Sequence, residues 1–114
     1  MAYTNLEYLR SMTDGNKEII RQMIELFLLQ VPDFIRNLNE LYRTGQYAAL
    51  GKEAHKAKSS LQIMGMTDLV LEMKIFQLKT IVGNEVASYP VHIHNFEIQC
   101  NAAVAELKAE LAVL

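Results

Sequence analysis

Residues 19–42, IIRQMIELFLLQVPDFIRNLNELY, decide the fold class. Ile20, Met23, Ile24, Phe27, Val31, Phe34, Ile35, Leu38 and Leu41 recur at steps of three and four, which on a helix gathers them on one face. A strand would need alternation with a period of two, and nowhere in the chain do β-branched and polar residues alternate for long. The helix is expected to start after Thr13-Asp14-Gly15-Asn16, a turn rich in capping residues, and to run to about Tyr42. Pro32 lies inside it. Proline removes an amide donor and crowds the carbonyl one turn back, so a kink is expected near Leu28 to Val31 in preference to two unrelated helices.

The same period extends in both directions. Upstream, Leu6, Tyr8 and Leu9 suggest a short N-terminal helix. Downstream, after Arg43-Thr44-Gly45, a second long helix is expected over about Gln46 to Met64, with Leu50, Ala54, Ala57, Leu61 and Met64 as a narrow inward stripe whose alanines permit close packing. A turn at Gly65-Met66-Thr67-Asp68 leads to a third, with Leu69, Met73, Phe76 and Ile81 on its repeat, ended by Gly83-Asn84. The last begins near Ser88-Tyr89-Pro90, since proline is accepted in a first turn, and carries Phe96, Ala103, Leu107 and Leu111. Four amphipathic helices joined by short turns imply an all-α chain, an antiparallel four-helix bundle with a short extra N-terminal helix, forming one domain over residues 1–114.

Composition narrows the function classes. The chain has 114 residues, 51% of them hydrophobic, which suits one sizeable core. Lys plus Arg number 11 against 13 Asp plus Glu, for a formal charge of -2, and no segment gathers the basic residues into a stripe. Neither nucleic acid nor a membrane surface is an expected partner. A single Cys100 excludes an internal disulfide framework and any multi-cysteine zinc site. Glu25, Gln30 and Asp33 break the longest apolar stretch before it could span a bilayer. The first residues, MAYTNLEYLR, do not read as a signal peptide, so a cytoplasmic location is expected.

Chemistry concentrates on the second long helix. At 100° per residue, His55 lies roughly 140° from the inward stripe and points to solvent. Ala48, Lys52, Ser59, Gln62 and Met66 fall near the same outward sector, and Lys58 lies between that face and the bundle. A neutral imidazole is a usable nucleophile, and a lysine three residues on can offset the charge of an attached phosphoryl group. Ser59 is small enough to admit a partner. Ile63 and Met66 add an apolar rim, so these residues together form a candidate docking surface.

His55-Lys56-Ala57-Lys58-Ser59-Ser60-Leu61-Gln62-Ile63-Met64-Gly65 resembles the signature of histidine-containing phosphotransfer (HPt) domains: a histidine, a lysine three residues later, small residues, then an apolar residue and a glycine at the tenth position. Ala54 before the histidine fits as well. The resemblance covers essentially the whole chain, because the family is a short four-helix bundle displaying its histidine on the second long helix. It implies that His55 accepts a phosphoryl group from a receiver-domain aspartate and passes it to another, with Lys58 stabilising the group. The implied partners are response-regulator receiver domains and a hybrid sensor histidine kinase. The implied actor is a free-standing monomer that carries phosphate without being an enzyme, needs no cofactor of its own, and relies on Mg²⁺ held by the receiver. Two positions depart from the pattern. Ser59 replaces the usual glycine, adding a hydroxyl beside the imidazole, and Leu61 replaces a commonly small residue, as its inward position explains.

Other groups read as structural. His92 and His94, two apart on a helix, fall about 200° apart and share no metal site, one partly buried and one at the surface. Cys100 and the six methionines read as packed hydrophobes. No glycine-rich nucleotide loop and no paired carboxylates at a metal spacing are present, so ATP use by this chain is not expected. The rival reading is a four-helix interaction module that docks a partner through its apolar rim and never carries phosphate.

Overall fold

The computed structural model describes residues 2–114, which are helical and contain no strand. Helix α1 spans Glu7–Met12, α2 Lys17–Arg43, α3 Tyr47–Ile63, α4 Thr67–Val82 and α5 Tyr89–Val113, with a 3₁₀ turn at Val86–Ser88 just before α5. None of these helices is long and apolar enough to cross a membrane.

Local chemistry sets the boundaries. The Asn16 side chain caps α2 by accepting the Ile19 N–H at 3.1 Å, and Glu18 and Arg43 place charges of favourable sign at its two ends. Helix α2 continues unbroken through Pro32, which is exposed, so the chain does not divide there. Gly83, with φ +70°, ends α4 in the left-handed conformation, and Pro90 occupies the first turn of α5.

The long helices touch in a closed order: α2 packs on α3 and α5, α3 on α4, and α4 on α5. Their inner faces meet in one apolar cluster that includes Leu9, Ile24, Phe27, Leu38, Leu50, Leu61, Met73, Phe76, Tyr89, Phe96 and Leu107. Burying each large side chain of this kind contributes roughly 1.5–3 kcal/mol. Phe34 and Phe96 meet edge-on at 6.4 Å between centroids, joining α2 to α5. The Tyr89 hydroxyl donates to the Lys79 carbonyl at 3.0 Å, so this buried phenol has its polar end satisfied near the end of α4.

Glycine is required twice. Gly51 lies inside α3, where a Cβ would overlap the Thr80 side chain, so its absence lets α3 and α4 approach closely. Gly65 has φ +69°, and a Cβ there would strike the backbone carbonyl of Asn5, whose N–H donates to the Met64 carbonyl at 3.0 Å. The segment before α1 therefore crosses directly over the α3–α4 turn. The same segment is tied to α5: the Glu106 carboxylate accepts the N–H groups of Tyr3 and Thr4 at 2.6 and 3.1 Å.

One expected core position is wrong. Ile81 is exposed, and Thr80 takes the inward place with its hydroxyl donating to the Gln77 carbonyl at 2.6 Å. The face set by Leu69, Met73 and Phe76 reaches Thr80 four residues on from Phe76, while Ile81 lies a further 100° round the helix.

Candidate functional site

The inner face of α3 is Leu50, Gly51, Ala54, Ala57 and Leu61, all buried. Its register turns Ala48, Lys52, His55, Ser59 and Gln62 outward, and all five are exposed. No hydrogen bond joins the His55 ring to any described residue, so both ring nitrogens are open to an incoming group. The small Ala48 and Ser59, two turns before and one turn after it, leave the approach clear.

Lys58 follows His55 by three residues and leans toward α4, half-buried, its ammonium donating to the Gln77 carboxamide oxygen at 3.4 Å. Lys52 and Lys56 are exposed nearby. The sole acidic residue of α3, Glu53, is drawn toward α2, where it accepts from the Asn37 amide at 3.1 Å. Lys52 and Lys58 therefore flank the imidazole, one turn before and one turn after it, while Lys56 and Glu53 lie together toward α2, lining one depression with Asn37. The surface there is locally positive although the chain carries -2 overall, and it favours an anion beside His55.

Beside His55 runs a groove of about 460 Å³, with Ala48, Gly51, Lys52 and His55 on the α3 side and Gln77, Thr80 and Ile81 on the α4 side. The Gly51–Thr80 approach forms its floor. Sequence reasoning missed this far wall because it placed Ile81 in the core; a helical wheel centred on Leu69, Met73 and Phe76 carries the signal that both Gln77 and Ile81 leave the inner face.

The apolar rim differs from expectation. Ile63 is half-buried on the α2 side, against a depression lined by Met23, Leu26, Phe27, Gln30, Ser60 and Met64. Ser60 donates to the Gln30 side-chain oxygen at 3.0 Å, which holds the two helices together there. Met66 is only 3% exposed and does not belong to the outward face. Helix α3 stops at Ile63, Gly65 turns left-handed, and the chain re-enters with Met66 capping α4 and its side chain in the core. The outward sector extrapolated along α3 does not survive that turn.

The remaining histidines and the thiol lie outside this site. His92 is held between Glu72, at 3.1 Å from Nδ1, and the Lys79 ammonium, at 2.9 Å from Nε2, and stacks on Phe76. An ammonium can only donate, so Nε2 accepts from Lys79 and Nδ1 donates to the Glu72 carboxylate. His94 is exposed on another face. Burial pushes the Cys100 thiol up to about 12, which removes it as a nucleophile near neutral pH. Among the described residues, no three histidine, cysteine or carboxylate groups are placed to hold a metal ion.

Compared with protein-family models, curated proteins and solved structures, the chain matches none.

Proposed function

We propose that this chain is a histidine phosphotransfer protein: an antiparallel four-helix bundle with a short extra N-terminal helix, carrying a phosphoryl group on His55 between receiver-domain aspartates of a multistep two-component phosphorelay. The observation that carries this reading is an exposed imidazole without internal hydrogen bonds on α3, with Lys58 one turn on and Lys52 one turn before it. The HPt-like pattern from His55 to Gly65 supports it, and so does the contact of each long helix with two others.

In the transfer, a lone pair on a neutral His55 ring nitrogen attacks phosphorus in line. The nitrogen–phosphorus bond forms as the bond from phosphorus to the aspartyl oxygen breaks, leaving a free carboxylate on the receiver. The reverse step loads a second receiver. Lys58 exchanges its hydrogen bond with Gln77 for one to the phosphoryl oxygens, where an ammonium stabilises the spreading charge. Mg²⁺ and the acidic pocket belong to the receiver. The transferring unit is the single chain, and it works in the cytoplasm, where a hybrid sensor kinase and a response regulator present their receivers. Ala48, Lys52, Ser59, Gln62 and Ile63 contribute to docking, and Gln77 and Ile81 extend that surface across the groove.

The test is to incubate the protein with receiver domains carrying phosphoaspartate and to look for acid-labile phosphate on this chain. Label is expected on the native chain and not on His55→Ala. Persistence of the label in His55→Ala, or no labelling by any receiver of the same cell, defeats the proposal. Stable docking of a receiver without labelling would instead support an interaction module that carries no phosphate.

A further inference from the structure

Helix α4 is apolar on two opposite faces. Its inner face is buried through Leu69, Met73 and Phe76, yet Leu71, Ile75, Leu78 and Val82 form a second stripe, each between 52% and 69% exposed. A helix that is apolar all round is ordinarily covered on all sides. The outer stripe advances by four, three and four residues, the spacing of a coiled-coil seam, so its natural complement is another helix.

This spacing is also the same when read from either end. Its midpoint falls between Phe76 and Gln77, so a second α4 laid antiparallel places Ile75 against Leu78 and Leu71 against Val82, each pair occurring twice. That is the self-complementarity a twofold interface requires. The flanking charges agree. On the α5 side, Glu72 and Lys79, both held in place by His92, would face Lys79 and Glu72 of the other copy. On the α3 side, Lys74 would lie along Ile81. A parallel pairing would instead set Lys74 against Lys79, two like charges across the seam. Asp68 and Glu85 bound the stripe at its ends.

We infer that two copies of this chain associate through α4, antiparallel about a twofold axis. The proposal does not depend on phosphotransfer by His55. A contact built on one helix per copy buries less than the roughly 1,200–2,000 Å² of a standard interface, so the dimer is weak and depends on concentration.

Sedimentation velocity from micromolar to millimolar protein is expected to show the weight-average mass rising from one chain toward two. Leu78→Lys should keep it at one chain, with circular dichroism and thermal unfolding unchanged because the side chain is exposed. The register is tested in a Cys100→Ser background: mixed Ile75→Cys and Leu78→Cys chains should form a disulfide-linked heterodimer on mild oxidation, whereas either variant alone should yield far less. A mass that stays at one chain through the whole range overturns the proposal, even if Leu78→Lys then proves to weaken receiver binding, which would assign the stripe to that partner. Dimers that survive Leu78→Lys, or cross-links equal in all three oxidations, also overturn it.

Discussion

Lys58 donates a hydrogen bond to Gln77, and in the proposed transfer it would exchange that partner for the phosphoryl group. Replacing it with alanine removes one charge-assisted contact from the transition state, worth about 1.5–3 kcal/mol, or roughly 10–100-fold in rate. Lys58→Ala should slow receiver-dependent labelling of His55 by that factor and leave helical circular dichroism unchanged, while Lys58→Arg should retain part of the rate. A loss of helicity in Lys58→Ala would make the residue structural. The outward set around His55 was legible because α3 has a narrow, unambiguous inner stripe, and one well-placed face fixes every other residue on a straight helix. Met66 was illegible for the converse reason: a left-handed Gly65 resets the phase, and no wheel drawn from α3 carries past it.

At the scale of the element, the close passage of α3 over α4 can be tested at Gly51. Alanine there would gain helix propensity of about 1 kcal/mol, but its methyl group meets the Thr80 side chain, and overpacking costs roughly 1–3 kcal/mol. Gly51→Ala is therefore expected to lower stability by about 1 kcal/mol, read as the midpoint of urea unfolding at unchanged slope. In a Thr80→Ala background the same change should cost clearly less, because the hydroxyl that the new methyl would strike is gone, the Cβ contact at 3.2 Å is retained and the propensity gain is unchanged. An equal cost in both backgrounds would remove the steric explanation. Helix existence and approximate ends were legible throughout, since Asn16, Gly83 and Pro90 mark them chemically. The facing of α4 was partly masked: with apolar residues on both sides, hydrophobicity draws Ile81 into the core, although the wheel set by Leu69, Met73 and Phe76 points to Thr80.

Across the whole molecule, the segment before α1 is fastened at two places, over Gly65 and onto Glu106. Partial burial pushes the Glu106 carboxyl up, but the N–H groups of Tyr3 and Thr4 and the Thr4 hydroxyl outweigh this and hold it below its ordinary value. A lowered folded pKa means that the fastening is fully present above the ordinary carboxylate range and is lost as pH falls through the lowered value. Amide hydrogen exchange at Tyr3 and Thr4 should therefore lose protection in acid, after correction for intrinsic rates, and Glu106→Ala should remove it already at neutral pH. Unchanged protection in Glu106→Ala would mean that the contact at Gly65 suffices. Neither attachment was legible in the sequence, because each joins groups with no periodic signal, and one of them spans nearly the entire chain.

The packing of α5 on α2 has a kinetic meaning. Every other pairing of long helices joins neighbours along the chain, which meet through short turns and little loop-closure entropy. Docking α5 against α2, marked by the Phe34–Phe96 contact, encloses all of α3 and α4 in one loop. That loop raises the mean sequence separation of contacts in an otherwise local topology, so the α2–α5 seam is the step most able to limit the folding rate.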